Sequence, residues 1–239
     1  MKKTYIILLL VSAFFLEARH IYVTRHGQVG YPVKAISETR LTELGIKQAQ
    51  QLGRYLTGTR KFNGVIYASP FYRTTETALY TAELLHKKVL LEPGIQEIAK
   101  APKPSPRGMT LKEINGYFPG KTLPGKRFAD NWRLCGETSQ MRFQRVSRAL
   151  EAILKEEKGD ILLVGHGASV NDLVKALNNK RPSRKVKPAK GTVWNCSLFI
   201  FELNEKGDVI NAEYTTAFMK KEELTNNLKK EKSPRKNSR

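Results

Sequence analysis

Asp160–Gly167 reads DILLVGHG, four consecutive aliphatic residues followed by Gly-His-Gly. A strand without polar alternation must be covered on both faces, as central strands of parallel sheets are. Parallel neighbours need long crossover connections, usually helices, and the surrounding sequence supplies them. HIYVT (20–24) and GVIYAS (64–69) are strand candidates. Between them, LTELGIKQAQQLGRYL places Leu41, Leu44, Ala49, Leu52 and Leu56 at helical spacing behind a possible Thr42 N-cap. PFYRTTETALYTAELLHKK is a second helix, with Ala78, Ala82 and Leu85 on one side. KVLLEPGIQEI is a third, edge-like strand interrupted by Pro93-Gly94. Residues 138–159 form a long amphipathic helix closed by Gly159, and ASVNDLVKALNN another. TVWNCSLFIFEL and DVINAEYTTAF, joined by NEKG, read as a hairpin. Alternating β and α units predict an α/β fold, a three-layer α/β/α sandwich with a mostly parallel central sheet and helices on both faces.

Residues 100–133 break the alternation. They are proline-rich and basic, with one helix signal at TLKEI, where Thr110 and Glu113 fit a capping box. An irregular lobe over the C-terminal edge of the sheet is expected there. Residues 1–18, MKKTYIILLLVSAFFLEA, have the layout of a secretory signal peptide cleaved after Ala18. Their apolar run is shorter than the ~20 residues that span a bilayer. The expected organisation is therefore a signal peptide (1–18), one domain (19–219) and a basic, disordered tail (220–239), with a secreted or periplasmic location. Cys135 and Cys196 would then meet an oxidising compartment. Cys196 lies in an apolar run and reads as a buried thiol, with a disulfide left open.

Charge narrows the partners. The 42 Lys and Arg against 22 Asp and Glu give a formal net charge of +20, which suits anionic ligands. KRPSRKVKPAK and the tail are solvated surface, or hold the protein against an anionic membrane or envelope polymer. Specific nucleic-acid binding is not expected, because no motif of that kind accompanies the charge.

Ligands of open α/β sheets collect at the carboxyl ends of the strands. The predicted strands deliver Arg25-His26-Gly27, then Ser69 with Arg73 just beyond, then Glu97, then Gly165-His166-Gly167. Two arginines, two histidines and a carboxylate thus converge on one edge. Arg25 and Arg73 offer planar forks that match phosphoryl oxygens. A neutral His26 can attack phosphorus and carry the group covalently. A protonated His166 can stabilise transition-state charge, and Glu97 can protonate the leaving alcohol and then accept a proton from water. Gly27, Gln28 and Gly167 line the same pocket, with Thr24 nearby. The set calls for no metal and no cofactor.

These pieces resemble the histidine phosphatase superfamily, in the branch containing the cofactor-dependent phosphoglycerate mutases. The matching stretches are RHG (25–27), LTELGIKQAQ (41–50), SPFYRTTETA (69–78), Glu97, GMTLKEINGYFPG (108–120), GET (136–138) and VGHGASV (164–170). The resemblance implies His26 as the phosphorylated nucleophile, Arg25, Arg73 and His166 as the phosphate pocket, and Glu97 as proton donor, with Glu92 as the fallback. Gln28-Val29-Gly30 replaces the mutase continuation, which favours hydrolysis of small phosphomonoesters over a mutase reaction. A non-catalytic module that binds phosphorylated ligands is the other alternative. His26 must be neutral and Glu97 protonated, so a bell-shaped, mildly acidic rate profile is expected. His20 and His86, the latter placed in the last turn of its helix, have no assigned function. Glu137 reads as a first-turn helix acid, and Trp132 and Trp194 as packing residues.

Overall fold

A computed structural model describes residues 18–30, 36–98, 108–128, 136–180, 185–187 and 192–226. The signal-peptide residues before Ala18, Cys135, Trp132, the outer parts of the proline-rich segment, most of the basic loop and the last thirteen residues lie outside them.

Seven strands form one mixed sheet: β1 (Arg19–Arg25), β2 (Val65–Ala68), β3 (Val89–Leu91), β4 (Thr122–Pro124), β5 (Ile161–Gly165), β6 (Leu198–Leu203) and β7 (Val209–Thr215), in the order β4-β3-β2-β5-β1-β6-β7. The first five run parallel, and the β6–β7 hairpin adds antiparallel to β1. DILLVGHG supplies β5 at the centre of the sheet, where all five residues are buried.

Period-2 alternation divides the core in two. Ile21, Val23, Ile161 and Leu163 face α4 (Ser139–Glu156) and α5 (Gly167–Asn178), packing on Leu150, Ile153, Leu173 and Leu177. Tyr22, Ile66, Leu162 and Val164 face α1 (Glu43–Arg54) and α2 (Tyr72–Leu84), packing on Ala49, Leu52, Ala78 and Ala82. Both faces of the sheet are covered by helices. β1 and β5 are neighbours, yet the helix after β1 lies on one face and the helix after β5 on the other. A crevice opens where adjacent strands send their chains to opposite sides.

Caps follow the sequence signals. Thr42 accepts from Gly45 N–H at α1, and Thr138 from Met141 N–H at α4. Thr110 and Glu113 form the capping box of α3 (Leu111–Tyr117).

Some expectations need correction. β3 is not an edge strand, because β4 pairs outside it and is itself part of the segment expected to be irregular. Pro124, which has no N–H to give a ladder, sits on that outermost strand as proline requires. The described part of the lobe is therefore a regular helix and strand. Gly159 does not close α4, which ends at Glu156 with Glu157 extended. His86 lies beyond α2 with φ 52°, a left-handed residue past the helix end and not part of its last turn. The packed fold also continues beyond residue 219. Glu223 is buried and accepts from Gln51, with Lys47 Nζ 2.7 Å away.

Candidate active site

The β1–β5 ladder sets the site. Arg25 pairs with Gly165, and His26 N–H continues the ladder to Gly165 O at 3.0 Å. His166 is therefore placed beside His26, their ring centroids 5.4 Å apart. From the opposite side of β5, β2 ends at Ala68 and hands Arg73 in on the first turn of α2. Both imidazoles and the Arg73 guanidinium are almost wholly buried.

Hydrogen bonds specify the tautomers. His26 Nδ1 lies 2.7 Å from Gly27 O, which can only accept, so Nδ1 carries the proton. The Nε2 lone pair is left as acceptor, and Arg73 Nε donates to it at 3.2 Å. Arg73 Nη2 donates to His166 Nδ1 at 3.0 Å, so His166 Nε2–H donates to Ser69 Oγ at 2.9 Å. One buried guanidinium thus bridges both histidines. The Phe71 ring stands T-shaped to His166, centroids 4.8 Å apart, and its centroid lies 4.7 Å beneath the Arg73 guanidinium carbon.

Burial first, then the charges of Arg73 and Arg25, push the His26 pKa well below the usual imidazole value. His166 is lowered by the same burial and by Arg73, His26, Arg25 and Arg145. Burial also brings Arg73 down to about 10, against the opposing pull of Glu97. Both imidazoles are neutral in this pocket, so a charged His166 requires an anion beside it to offset the arginines. Arg25 donates through Nη1 to Val193 O, while its buried Nε finds no partner among the described residues.

Glu97 stands at the rim, about a quarter exposed, with Oε2 4.0 Å from His166 Nδ1. Glu92 is elsewhere: buried itself, it accepts from Gly94 N–H and pairs with the partly exposed Arg127, Oε2 to Nη2 at 2.6 Å. Gly167 opens α5 against Arg25, since a Cβ there would lie 3.7 Å from Arg25 Cζ. Gly27 crosses the start of α1 so closely that a Cβ would fall 2.5 Å from Gly45 O. Gln28 is turned partly away, its side-chain oxygen accepting from Thr42 Oγ1. Thr24 is buried and donates to Ser197 O, behind the pocket.

Several supporting residues were not singled out from sequence. Asn195, fully buried, donates from Nδ2 to His26 O at 2.8 Å. Thr77 Oγ1 accepts from Gly27 N–H, and Gln48 Oε1 from Gln28 N–H. Thr225 joins Gln48 to Asn195, accepting from Gln48 Nε2 and donating to Asn195 Oδ1. Ser69 had a signal in its place at a strand end; Asn195, Gln48 and Thr225 had none. Among the described residues no three His, Cys, Asp or Glu side chains cluster as a metal site.

The fold is thus an α/β protein whose mixed, mostly parallel sheet carries two arginines and two histidines at its carboxyl edge. The pattern of the histidine phosphatase superfamily (branch 1) matches residues 21–215, and the chain belongs to that superfamily. It is 31% identical over 209 residues to the transcription factor tau 55 kDa subunit of Saccharomyces cerevisiae, covering 78% of this chain and 48% of that protein. It is 24% identical over 176 residues to the ecdysteroid-phosphate phosphatase of Drosophila melanogaster, covering 70% of this chain and 23% of that protein. The chain thus spans less than half of either relative. Among solved structures, the ecdysone phosphate phosphatase of Bombix mori with tungstate superposes with a TM-score of 0.60 at 21% identity, covering 81% of this chain and 92% of that one. The protein histidine phosphatase SixA with tungstate gives 0.50 at 18% identity, covering 82% and 94%. At these identities the likeness is one of fold.

Proposed function

We propose that the chain hydrolyses small phosphomonoesters through a phosphohistidine on His26, without a metal. The observation that carries this is the pair of bonds on one imidazole: Nδ1–H to Gly27 O and the Nε2 lone pair facing Arg73. They fix the neutral tautomer with its nucleophilic nitrogen toward the charge that would hold a phosphoryl group. Phosphoryl oxygens take over the guanidinium donors of Arg73 and the unused Nε of Arg25. Anion charge then lets His166 accept a proton and donate to the same oxygens. The Nε2–P bond forms as the P–O bond to the alcohol breaks, and Glu97 gives that oxygen its proton. Water then attacks phosphorus, Glu97 takes its proton, and the P–N bond pair returns to Nε2. The two arginines supply the positive charge that a metal supplies in other phosphatases.

The test is phosphate release by residues 19–239 from a phosphomonoester panel with EDTA present, beside His26→Ala. Turnover that survives EDTA and falls by more than about 10³-fold in the variant is expected, since the covalent route is lost. Equal turnover by the variant would exclude His26 as nucleophile. Faster transfer to 3-phosphoglycerate than to water would favour the mutase alternative.

A second reading is a binding module for phosphorylated ligands, favoured by the relative named as a transcription factor subunit. A folded wild-type protein that binds phosphate yet turns over none of the panel would select it. Export, proposed from residues 1–18, is checked by the N-terminus of the protein made in cells. Cleavage after Ala18 leaves every residue of β1 in place.

A further inference from the structure

The Gly-Glu-Thr stretch at 136–138 has no part in the mechanism above, yet it is anchored beside the pocket. Glu137 is buried and holds Arg145 in a two-pronged pair, Nε to Oε1 and Nη2 to Oε2, both 2.8 Å. The remaining Arg145 nitrogen, Nη1, donates to Gly94 O at 2.7 Å and reaches Gln96 O at 3.4 Å. Gln96 O belongs to the peptide that begins Glu97. One turn further along α4, Ala149 meets the same segment, and a Cβ on Gly94 would lie 2.3 Å from Ala149 Cβ. Residues four apart share a helix face, so Arg145 and Ala149 form one seat for the Gly94–Gln96 turn.

We propose that Arg145, oriented by Glu137, is a positioning residue that sets where the Glu97 carboxyl stands relative to His166. This rests on Glu97 being the proton donor. Glu97 is at the rim, 4.0 Å from His166 Nδ1, and its Oε1 accepts a local hydrogen bond from Ile98 N–H. Its position is therefore inherited from the turn that carries it. A bidentate guanidinium suits this task because its fork is rigid, whereas a lysine would hold the same carbonyl as a flexible point charge. The Arg145 charge also reaches His166, which places the guanidinium within electrostatic range of the pocket.

Leaving-group dependence tests it. A general acid matters for an alkyl alcohol and little for p-nitrophenolate, which leaves unaided. The quantity read is kcat/KM for β-glycerol phosphate divided by that for p-nitrophenyl phosphate. Glu97→Gln lowers this ratio by about 100-fold, as loss of a general acid does. Arg145→Ala and Glu137→Gln lower it by about tenfold, as misplaced catalytic groups do, and Arg145→Lys by less than Arg145→Ala. Should Arg145→Ala fail to fold, the charge-free pair Glu137→Gln/Arg145→Met leaves no lone buried charge and is read the same way.

A lowered ratio in Glu97→Gln with an unchanged ratio in the Arg145 variants overturns the positioning role alone. An unchanged ratio in Glu97→Gln overturns the proton-donor assignment and the positioning role with it. Equal losses on both substrates in the Arg145 variants mark a merely structural pair and also overturn the proposal.

Discussion

His26 and His166 share a guanidinium in a buried pocket, and that has a consequence for stability. Both imidazoles are depressed below the ordinary value of 6.5, so below that pH the native state binds fewer protons than the unfolded chain. Their contribution is present above about pH 6.5 and is lost as pH falls, by up to about 1.4 kcal/mol per pH unit for each histidine. The melting midpoint should therefore drop between pH 7 and 5, and more steeply than in a His26→Gln/His166→Gln variant. Saturating inorganic phosphate should flatten the drop by offsetting Arg25 and Arg73; parallel curves with and without phosphate would contradict the coupling. The residue types at this site were legible in the sequence because each follows a strand. The choice between Glu92 and Glu97 was not, since both are glutamates near one turn. It depends on Arg127, 35 residues away in sequence, which pairs with the buried Glu92 carboxylate.

At the scale of elements, the loop after β1 and α1 cross at two glycines. A Cβ on Gly45 would lie 2.0 Å from Gln28 O, and one on Gly27 2.5 Å from Gly45 O. Gly45→Ala must therefore push the loop that carries His26. A destabilisation of about 1–3 kcal/mol, as for overpacking, is expected with a loss of kcat/KM. Gly116→Ala in α3, where a Cβ meets nothing within 4 Å, should instead gain about 0.5–1 kcal/mol. Denaturant titrations of both variants compare them directly, and equal behaviour would refute the close crossing. Helices and central strands were readable because periodicity and caps are local signals. β4 was hidden because three residues carry no period, and their strand character comes from pairing with β3.

In the molecule as a whole, the chain after β7 returns to brace the loop after β1. Asn195 and Gln48, both fully buried, hold His26 O and Gln28 N–H, and Thr225 satisfies both side chains. A stop after Met219 strands those two amides, at about 1–3 kcal/mol each, and should cut both stability and turnover. A stop after Asn226 keeps the brace and should leave both as in the full chain; matching losses in the two truncations would place the effect in the basic tail instead. The sequence by itself determined the layered α/β fold and the convergence of Arg25, His26, Arg73 and His166, because burial periodicity and strand direction are written locally. Only the tertiary structure decided which glutamate faces the pocket, that Glu137 holds Arg145, and that residues 220–226 belong to the domain. Those are pairings of polar groups across long sequence separations, and a polar group's partner is set by where the packed core brings the chain.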